Sequence, residues 1–276
     1  MVGTIAMMQS LDVDRLAREY QNAKPFPHVK IDGFLDDAFA RRVAASYPSF
    51  EEADAMGRQF EAVNEYRKIQ ITDASRFPDP VAELNAMLAA PEFLEALEAI
   101  TGIQLLLADA TLAGGGMHIT GPRGRLDVHV DFNFLPEKKI HRRLNLLLYL
   151  NPKWERQWGG AVELWDERVS VRHHAFEPVM NRCVIFETSE TSYHGVEPVT
   201  CPADVVRQSF ATYYYTREAP PGYTGENHST VFRARPEERF KKYVLMPAER
   251  ARHSVREARR RVRSVRDRVR AALGQR

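Results

Sequence analysis

Hydrophobic positions recur every three to four residues through roughly the first hundred residues, and in short or alternating runs thereafter. Leu11, Leu16 and Ala17 share one helical face, with Ser10 or Asp12 as the cap and Tyr20 near the end. Pro25 and Pro27 break that helix, and His28-Val29-Lys30-Ile31 alternates as a short strand. A second helix is predicted from about Asp36 to Ala45. Residues 49–66 are charged and weakly periodic, and read as a loop or lid. Lys68-Ile69-Gln70-Ile71 alternates again. From Pro80 to Thr101 the stripe Val81, Leu84, Met87, Leu88, Phe93, Leu94 and Leu97 predicts helix, split in two by Pro91.

After Gly102 the texture changes. Short apolar runs at 103–108, 117–120, 126–130, 143–150, 161–165, 169–172, 182–187 and 208–215 are separated by turn residues, clearest at Gly114-Gly115-Gly116, Gly121-Pro122-Arg123-Gly124 and Trp158-Gly159-Gly160. Eight short strands at this spacing predict a double-sheet jelly roll. The fold class is therefore α+β with a predominantly β core. Residues 10–101 supply helical support on one outer face, 103–216 the jelly-roll core, and 1–246 one domain.

Composition adds an asymmetry. Residues 249–276 hold 11 Arg and no Lys against Glu249, Glu257 and Asp267, while the rest of the chain holds 28 basic and 34 acidic side chains. From about 247 the pattern is helical, with Val255, Ala258, Val262, Val265, Val269 and Ala272 on a narrow stripe. Such a basic amphipathic helical tail suits an anionic membrane surface or an acidic partner, or packs on the acidic body; nucleic acid is not expected. Met1 to Ser10 lacks the pattern of a secretory signal, and no run approaches the roughly 20 apolar residues of a spanning helix. Cys183 and Cys201 form no disulfide framework. The expectation is a cytoplasmic protein, peripheral to a membrane if the tail binds one.

Candidate chemistry centres on His129-Val130-Asp131. In an extended strand His129 and Asp131 point to one side, so both can grip one metal ion. The run Cys183-Val184-Ile185-Phe186 leads towards His194, a third ligand. Two imidazoles and a carboxylate on one face leave the other positions open, the arrangement of non-haem Fe(II) oxygenases. Downstream, Arg207 and Ser209 share a face of the strand 207–215. A lone inward Arg is costly to bury unless it is paired, and its planar fork beside a hydroxyl suits a carboxylate. Tyr149 can add a donor from a neighbouring strand, or be a core tyrosine.

These residues carry a resemblance. His129 and Asp131, then Arg142 or Arg143, Asn145, Tyr149-Leu150-Asn151 and Trp154, then Gly159-Gly160, His194, Arg207 and Ser209, stand in the order seen in the 2-oxoglutarate and Fe(II)-dependent dioxygenase superfamily. The likeness is nearest to its prolyl 4-hydroxylase-like branch. It covers roughly 103–216, with a weaker echo from Pro25 to Leu35. It implies a double-stranded β-helix with Fe(II) on His129, Asp131 and His194, and the far carboxylate of 2-oxoglutarate on Arg207, helped by Ser209 and Tyr149. It also implies O2 as cosubstrate, succinate and CO2 as products, hydroxylation of an unactivated C–H bond, and a supportive role for ascorbate. Two departures loosen the tie to peptidyl proline. Many prolyl hydroxylases have Lys where this chain has Arg207, and the upstream strand reads Met117-His118-Ile119 where that branch commonly carries Tyr.

The substrate is expected to be a small metabolite or a glycan or lipid-linked sugar, with a peptidyl hydroxylase as runner-up and a non-enzymatic jelly-roll binding module as the rival class. His118, Asn133, Asn145 and Trp165 are candidates to line the substrate pocket; satisfied sheet residues and a core tryptophan are the plainer alternative. His173-His174 reads as a solvated loop pair. Lys138-Lys139 and Arg142-Arg143 flank a loop read as a solvated hairpin, with guidance of an anionic substrate as the alternative.

Overall fold

Five helices carry the stripes of the N-terminal third: α1 (Val13–Asn22), α2 (Asp37–Ala45), α3 (Phe50–Met56), α4 (Asp79–Leu88) and α5 (Pro91–Thr101) in a computed structural model that describes residues 11–247. Asp12 caps α1 by accepting from Arg15 N–H, and Asp36 caps α2 by accepting from Phe39 N–H. Pro91 starts α5, where its missing N–H costs no helical bond, so the long helical stretch divides there. Residues 49–66 are not the expected loop. Ser49 and Glu52 form a reciprocal capping box that starts α3. Seven residues are too few for helical periodicity to show.

The strands are β1 (His28–Asp32), β2 (Arg58–Glu61), β3 (Glu65–Ile71), β4 (Leu107–Ala108), β5 (Gly116–Val130), β6 (Phe134–Leu135), β7 (Ile140–Tyr149), β8 (Val162–Trp165), β9 (Arg172–Phe176), β10 (Arg182–Glu187), β11 (His194–Val196), β12 (Arg207–Thr216) and β13 (Val231–Phe232). The main path runs β1-β10-β7-β12-β5-β11-β8-β9, with β3 also on β5. Neighbours far apart in sequence, all antiparallel, are the mark of the predicted jelly roll.

The long strand β5 makes the corner. Its first half pairs with β12 and its last residues with β11. The expected turn at Gly121–Gly124 is a distortion inside this strand. Arg123 N–H donates to Val199 O at 2.7 Å, Val199 N–H donates to Gly124 O at 2.8 Å, and β3 slips register opposite, between Tyr66 and Lys68. The two predicted strands at 117–120 and 126–130 are thus one, because β3 follows both halves. The run 103–108 yields only β4, and the strand expected at 169–172 begins at Arg172. That strand, β9, carries His173-His174, so they are not a loop pair; His174 Nε2 lies 2.8 Å from Lys24 O and its ring stacks on Phe176.

Alternation then decides what faces the helices. Ile69 and Ile71, Met117 and Ile119, Leu144, Leu146 and Leu148, and Phe210 and Tyr214 point outward into one core with Leu16, Phe39, Val43, Leu84 and Leu97 of the helices. Each fully buried aliphatic or aromatic side chain contributes about 1.5–3 kcal/mol relative to exposure. With that face sealed, the intervening residues Lys68, Gln70, His118, Asn145, Tyr149, Arg207 and Ser209 are presented to the inside of the roll.

The compact unit containing these strands ends at Arg233, before the domain limit expected at 246. A second unit begins at Ala234; within it Lys241–Leu245 form a short, wide helical turn, and Lys241 pairs with Glu238 at 3.0 Å. The predicted basic tail lies, from 248 onward, outside the described residues.

Candidate active site

His129 near the end of β5 and His194 at the start of β11 are direct cross-strand partners, their rings 4.3 Å apart between centroids. His194 thus arrives on a three-residue strand of its own, beside β5 rather than beside β10. Asp131, one residue past the end of β5, places Oδ1 3.4 Å from His129 Nε2 and Oδ2 3.4 Å from His194 Nε2. One ligand atom from each of the three lies within 4.8 Å of the others.

The outer nitrogens settle the tautomers. His129 Nδ1 is 2.8 Å from Asp127 O and His194 Nδ1 is 3.0 Å from Ser192 O, so each Nδ1–H donates to a backbone carbonyl. Each Nε2 lone pair then faces the carboxylate, which is how backbone acceptors orient metal-binding imidazoles. Burial lowers the His194 pKa, as does the neighbouring His129, against the pull of Asp131; the ring is kept neutral. Burial alone would raise the Asp131 carboxyl. The Arg142 charge overcomes it and holds the group well below the usual carboxylate range. A carboxylate between two imidazoles, with Nε2 and Oδ atoms converging, is a donor set fit for Fe(II).

Asp131 is itself held. Asn145 Nδ2 donates to Oδ2 at 2.8 Å and Arg142 Nη2 lies 3.0 Å from the same oxygen. Arg142 also donates to Asn145 Oδ1 from Nε at 3.0 Å and Nη2 at 2.7 Å, and its guanidinium sits 3.5 Å above the Tyr213 ring. Asn145, expected to line the pocket, does so while positioning the carboxylate. Arg142 and Arg143 are buried in β7, not part of a solvated hairpin; the turn before β7 carries only Lys138-Lys139.

Arg207, Ser209 and Tyr149 lie side by side. Ser209 is the cross-strand partner of Tyr149, and the Arg207 guanidinium lies 4.9 Å from the Tyr149 ring centre. Arg207 Nε donates to Gly160 O at 2.7 Å and Nη1 to Ser209 Oγ at 3.4 Å. Gly160 has φ +73°, and a Cβ there would stand 3.1 Å from both Arg207 Cδ and the Trp154 ring, so glycine is required for this approach. Two features fit the carboxylate of a bound dicarboxylic acid. The buried Arg207 makes no ion pair with a carboxylate among the described residues, and the Tyr149 hydroxyl is buried with no hydrogen-bond partner. Burial raises the Tyr149 pKa to about 12, offset in part by Arg207, so its proton is kept for donation.

A cavity of about 440 Å³ contains the triad, Arg207 and Ser209, and extends along β2, β3 and β5 past Arg58, Phe60, Lys68 and Arg125. His118 lines it. It stands between Gln70 and Ser209 in the sheet, with Nε2 3.0 Å from Gln70 Nε2 and 3.1 Å from Gly114 O. Burial, Lys68 and Arg207 push its pKa well below the ordinary histidine value. Trp165 does not line the cavity; it packs with Val128, Val130, Val169 and Tyr193 on the opposite side of the strands. Asn133 is also elsewhere. It is half-buried, donates to Glu190 Oε1 at 2.9 Å and Glu226 O at 3.0 Å, and accepts from His228 N–H at 3.1 Å. The cavity residues that sequence reasoning misses, Arg58, Lys68, Gln70 and Arg125, lie on or pair with the β2–β3 hairpin, whose first half is too charged and too weakly periodic to show as a strand.

Residues 115–216 match the model of the 2OG-Fe(II) oxygenase superfamily. The chain is 33% identical over 88 residues, 30% of its length, to prolyl 3-hydroxylase OGFOD1 of Mus musculus, a stretch that spans only 16% of that protein. Among solved structures it is similar to a prolyl-4-hydroxylase of Pseudomonas putida (TM-score 0.51, 19% identity, 72% of this chain and 97% of that one). It is also similar to a prolyl hydroxylase of Trichoplax adhaerens in complex with a hypoxia inducible factor peptide fragment (TM-score 0.52, 17% identity, 74% and 90%). At these identities the structural likeness concerns the fold. The region that matches is the one that holds all three triad residues and Arg207: residues 115–216 are similar to the 2OG-Fe(II) oxygenase superfamily, and the fold is prolyl 4-hydroxylase-like.

Proposed function

We propose that this chain is a 2-oxoglutarate- and Fe(II)-dependent dioxygenase that hydroxylates an unactivated C–H bond of a small molecule. The observation that carries the reading is the buried Arg207, without a carboxylate partner among the described residues, in the same cavity as a two-histidine, one-carboxylate triad. A binding module has no need of both. His129, Asp131 and His194 would hold the metal; Arg207, Ser209 and Tyr149 would hold the far carboxylate of 2-oxoglutarate. When bound, the metal and cosubstrate supply the oxidant for C–H cleavage, with succinate and CO2 as products. The protein's own part is orientation and exclusion of wasteful reactions. Asn145 and Arg142 keep Asp131 aimed, and Gly160 lets Arg207 reach the cavity.

A peptidyl hydroxylase is the second reading, favoured by the likeness to prolyl 3-hydroxylase OGFOD1 over 88 residues. The Arg-rich segment 249–276 we read as meeting an anionic membrane surface, supported by its 11 Arg against three acids. The test of the main reading is release of succinate from 2-oxoglutarate by the purified full-length protein with Fe(II) and ascorbate. No 2-oxoglutarate consumption under any substrate, with the metal bound, would sink it.

A further inference from the structure

The charges along the cavity do not balance at its outer end. Deep inside, Arg142 is matched by Asp131 at 3.0 Å, and Arg207 is the anchor for 2-oxoglutarate in the reading above, on which this inference rests. Further out, β2, β3 and β5 contribute three cations to the wall, Arg58, Lys68 and Arg125, against one acid, Glu65. Lys68 Nζ pairs with Glu65 Oε1 at 2.8 Å, which accounts for that acid. Arg125, half-buried, donates one N–H to Val63 O at 3.1 Å and lies over the Tyr66 ring at 5.3 Å, with no carboxylate partner among the described residues. Arg58 lies over the Phe60 ring at 4.5 Å and likewise has no acid partner there.

Two unmatched guanidiniums beside apolar walls concentrate positive potential in a confined space. Their planar forks match phosphate, sulfate or carboxylate oxygens. Phe60, with Arg58 at 4.5 Å and Lys68 at 5.4 Å from its ring centre, provides an apolar surface beside them. The cavity is also bounded on its other side. β13 pairs with the end of β5, Phe232 opposite His129, and Asn133 ties residues 226–228 to the strand end. A volume of about 440 Å³ shared with a cosubstrate suits a small ligand rather than an extended chain.

We propose that the substrate is a small molecule bearing an anionic group of the phosphate, sulfate or carboxylate kind, and that Arg58 and Arg125 hold this group at the outer end of the cavity while the rest of the molecule reaches towards the triad. Arg58 and Arg125 are then specificity-determining residues, and the hairpin β2–β3 is the element that selects by charge.

The test is calorimetric titration of the full chain loaded with Mn(II) and saturating 2-oxoglutarate. Phenyl phosphate and benzoate distinguish the kinds of anion, and phenol is the neutral control. At least one anion is expected to bind, phenol not, with an affinity that falls as salt is raised. Arg125→Gln and Arg58→Glu are each expected to weaken that binding about ten- to hundred-fold, the range of a lost charged hydrogen bond. Arg125→Gln also removes the bond to Val63 O, so Arg58→Glu, at a side chain that meets only the Phe60 ring among the described residues, carries the decision. Equal affinity for phenol, no binding of either anion, or an unchanged constant in Arg58→Glu would overturn the inference, as would succinate release stimulated by an uncharged proline peptide. If the parent fails to take up 2-oxoglutarate, the oxygenase reading itself has failed; uptake without anion binding removes only the charge selection.

Discussion

Arg142 Nη2 lies 3.0 Å from Asp131 Oδ2, and it reaches that oxygen because β7 is bulged. Opposite β12, Tyr213 faces Asn145, Tyr214 faces Leu144, and Tyr215 faces Arg142, so Arg143 is the extra residue. The extra residue turns Arg142 to the same side as Asn145, against strict alternation. Asp131 is thereby fixed by two donors that also bind one another. Arg142→Gln is expected to lower metal affinity about 10- to 100-fold, the usual cost of losing a partner that orients a ligand. Titration with Mn(II) reads this directly, and an unchanged affinity would reduce Arg142 to a packing role.

The same pair bears on stability. Asp131→Ala leaves the buried Arg142 with Asn145 and the Phe132 and Tyr213 rings but no carboxylate among the described residues. Breaking a buried pair from one side costs about 3–5 kcal/mol, so the metal-free variant should unfold at lower urea than the parent. The double variant Asp131→Ala, Arg142→Met removes both charges and should recover part of that loss, although neither protein would bind metal well. Absence of any recovery would mean that the ion pair is not the origin of the effect.

Arg207 separates a 2-oxoglutarate site from a generic metal site. Arg207→Ala is expected to weaken 2-oxoglutarate binding by about 2–5 kcal/mol, the cost of truncating one partner of a desolvated charge pair. That is about thirty-fold to several-thousand-fold at 1.4 kcal/mol per decade. Arg207→Lys keeps the charge but loses the fork and should fall between, and Tyr149→Phe should lose one donor and little else. Mn(II) binding measured without cosubstrate should hold close to the parent value in all three. Undiminished 2-oxoglutarate affinity in Arg207→Ala would place the cosubstrate elsewhere.

Stability should fall on mild acidification. His28, His118 and His194 have pKa values lowered chiefly by burial, that of His118 strongly. Below the ordinary value near 6.5 the unfolded chain takes up protons that the native state refuses. The stability from these groups is therefore present above that value and lost as pH falls below it, at about 1.4 kcal/mol per pH unit for each proton. Asp131, whose pKa is depressed, adds an acid-side loss only below the normal carboxylate range. Urea midpoints of the metal-free protein between pH 7 and 5 should drop, and His118→Gln should flatten that dependence by about one proton. A parallel profile would show that His118 titrates freely.

The basic tail gives a prediction independent of the site. Deleting residues 249–276 should leave 2-oxoglutarate turnover with a soluble substrate nearly intact and reduce binding to anionic vesicles. The salt dependence of vesicle binding should shrink with it. Equal binding by both forms would end the idea of a membrane-facing tail.

Much of this was readable before any coordinates. Period-two alternation by itself places His129 beside Asp131 and Arg207 beside Ser209, and period-three-to-four stripes place the helices, because both patterns report local geometry and a single buried face. The jelly roll followed from the spacing of apolar runs. Long-range pairing decided the rest. That Gly121–Gly124 is a distortion within β5 depends on β3, some fifty residues away in sequence, running alongside both halves. That Arg142 supports Asp131 depends on an extra residue counted only against β12. That His118, Ser209 and Tyr149 stand side by side across three strands depends on register. That Trp165 turns away from the cavity depends on which side of its sheet is inside. A sequence states which residues alternate; only the closed sheet states which of the two faces looks at the metal-binding site, because burial is a property of both strands and of what covers them.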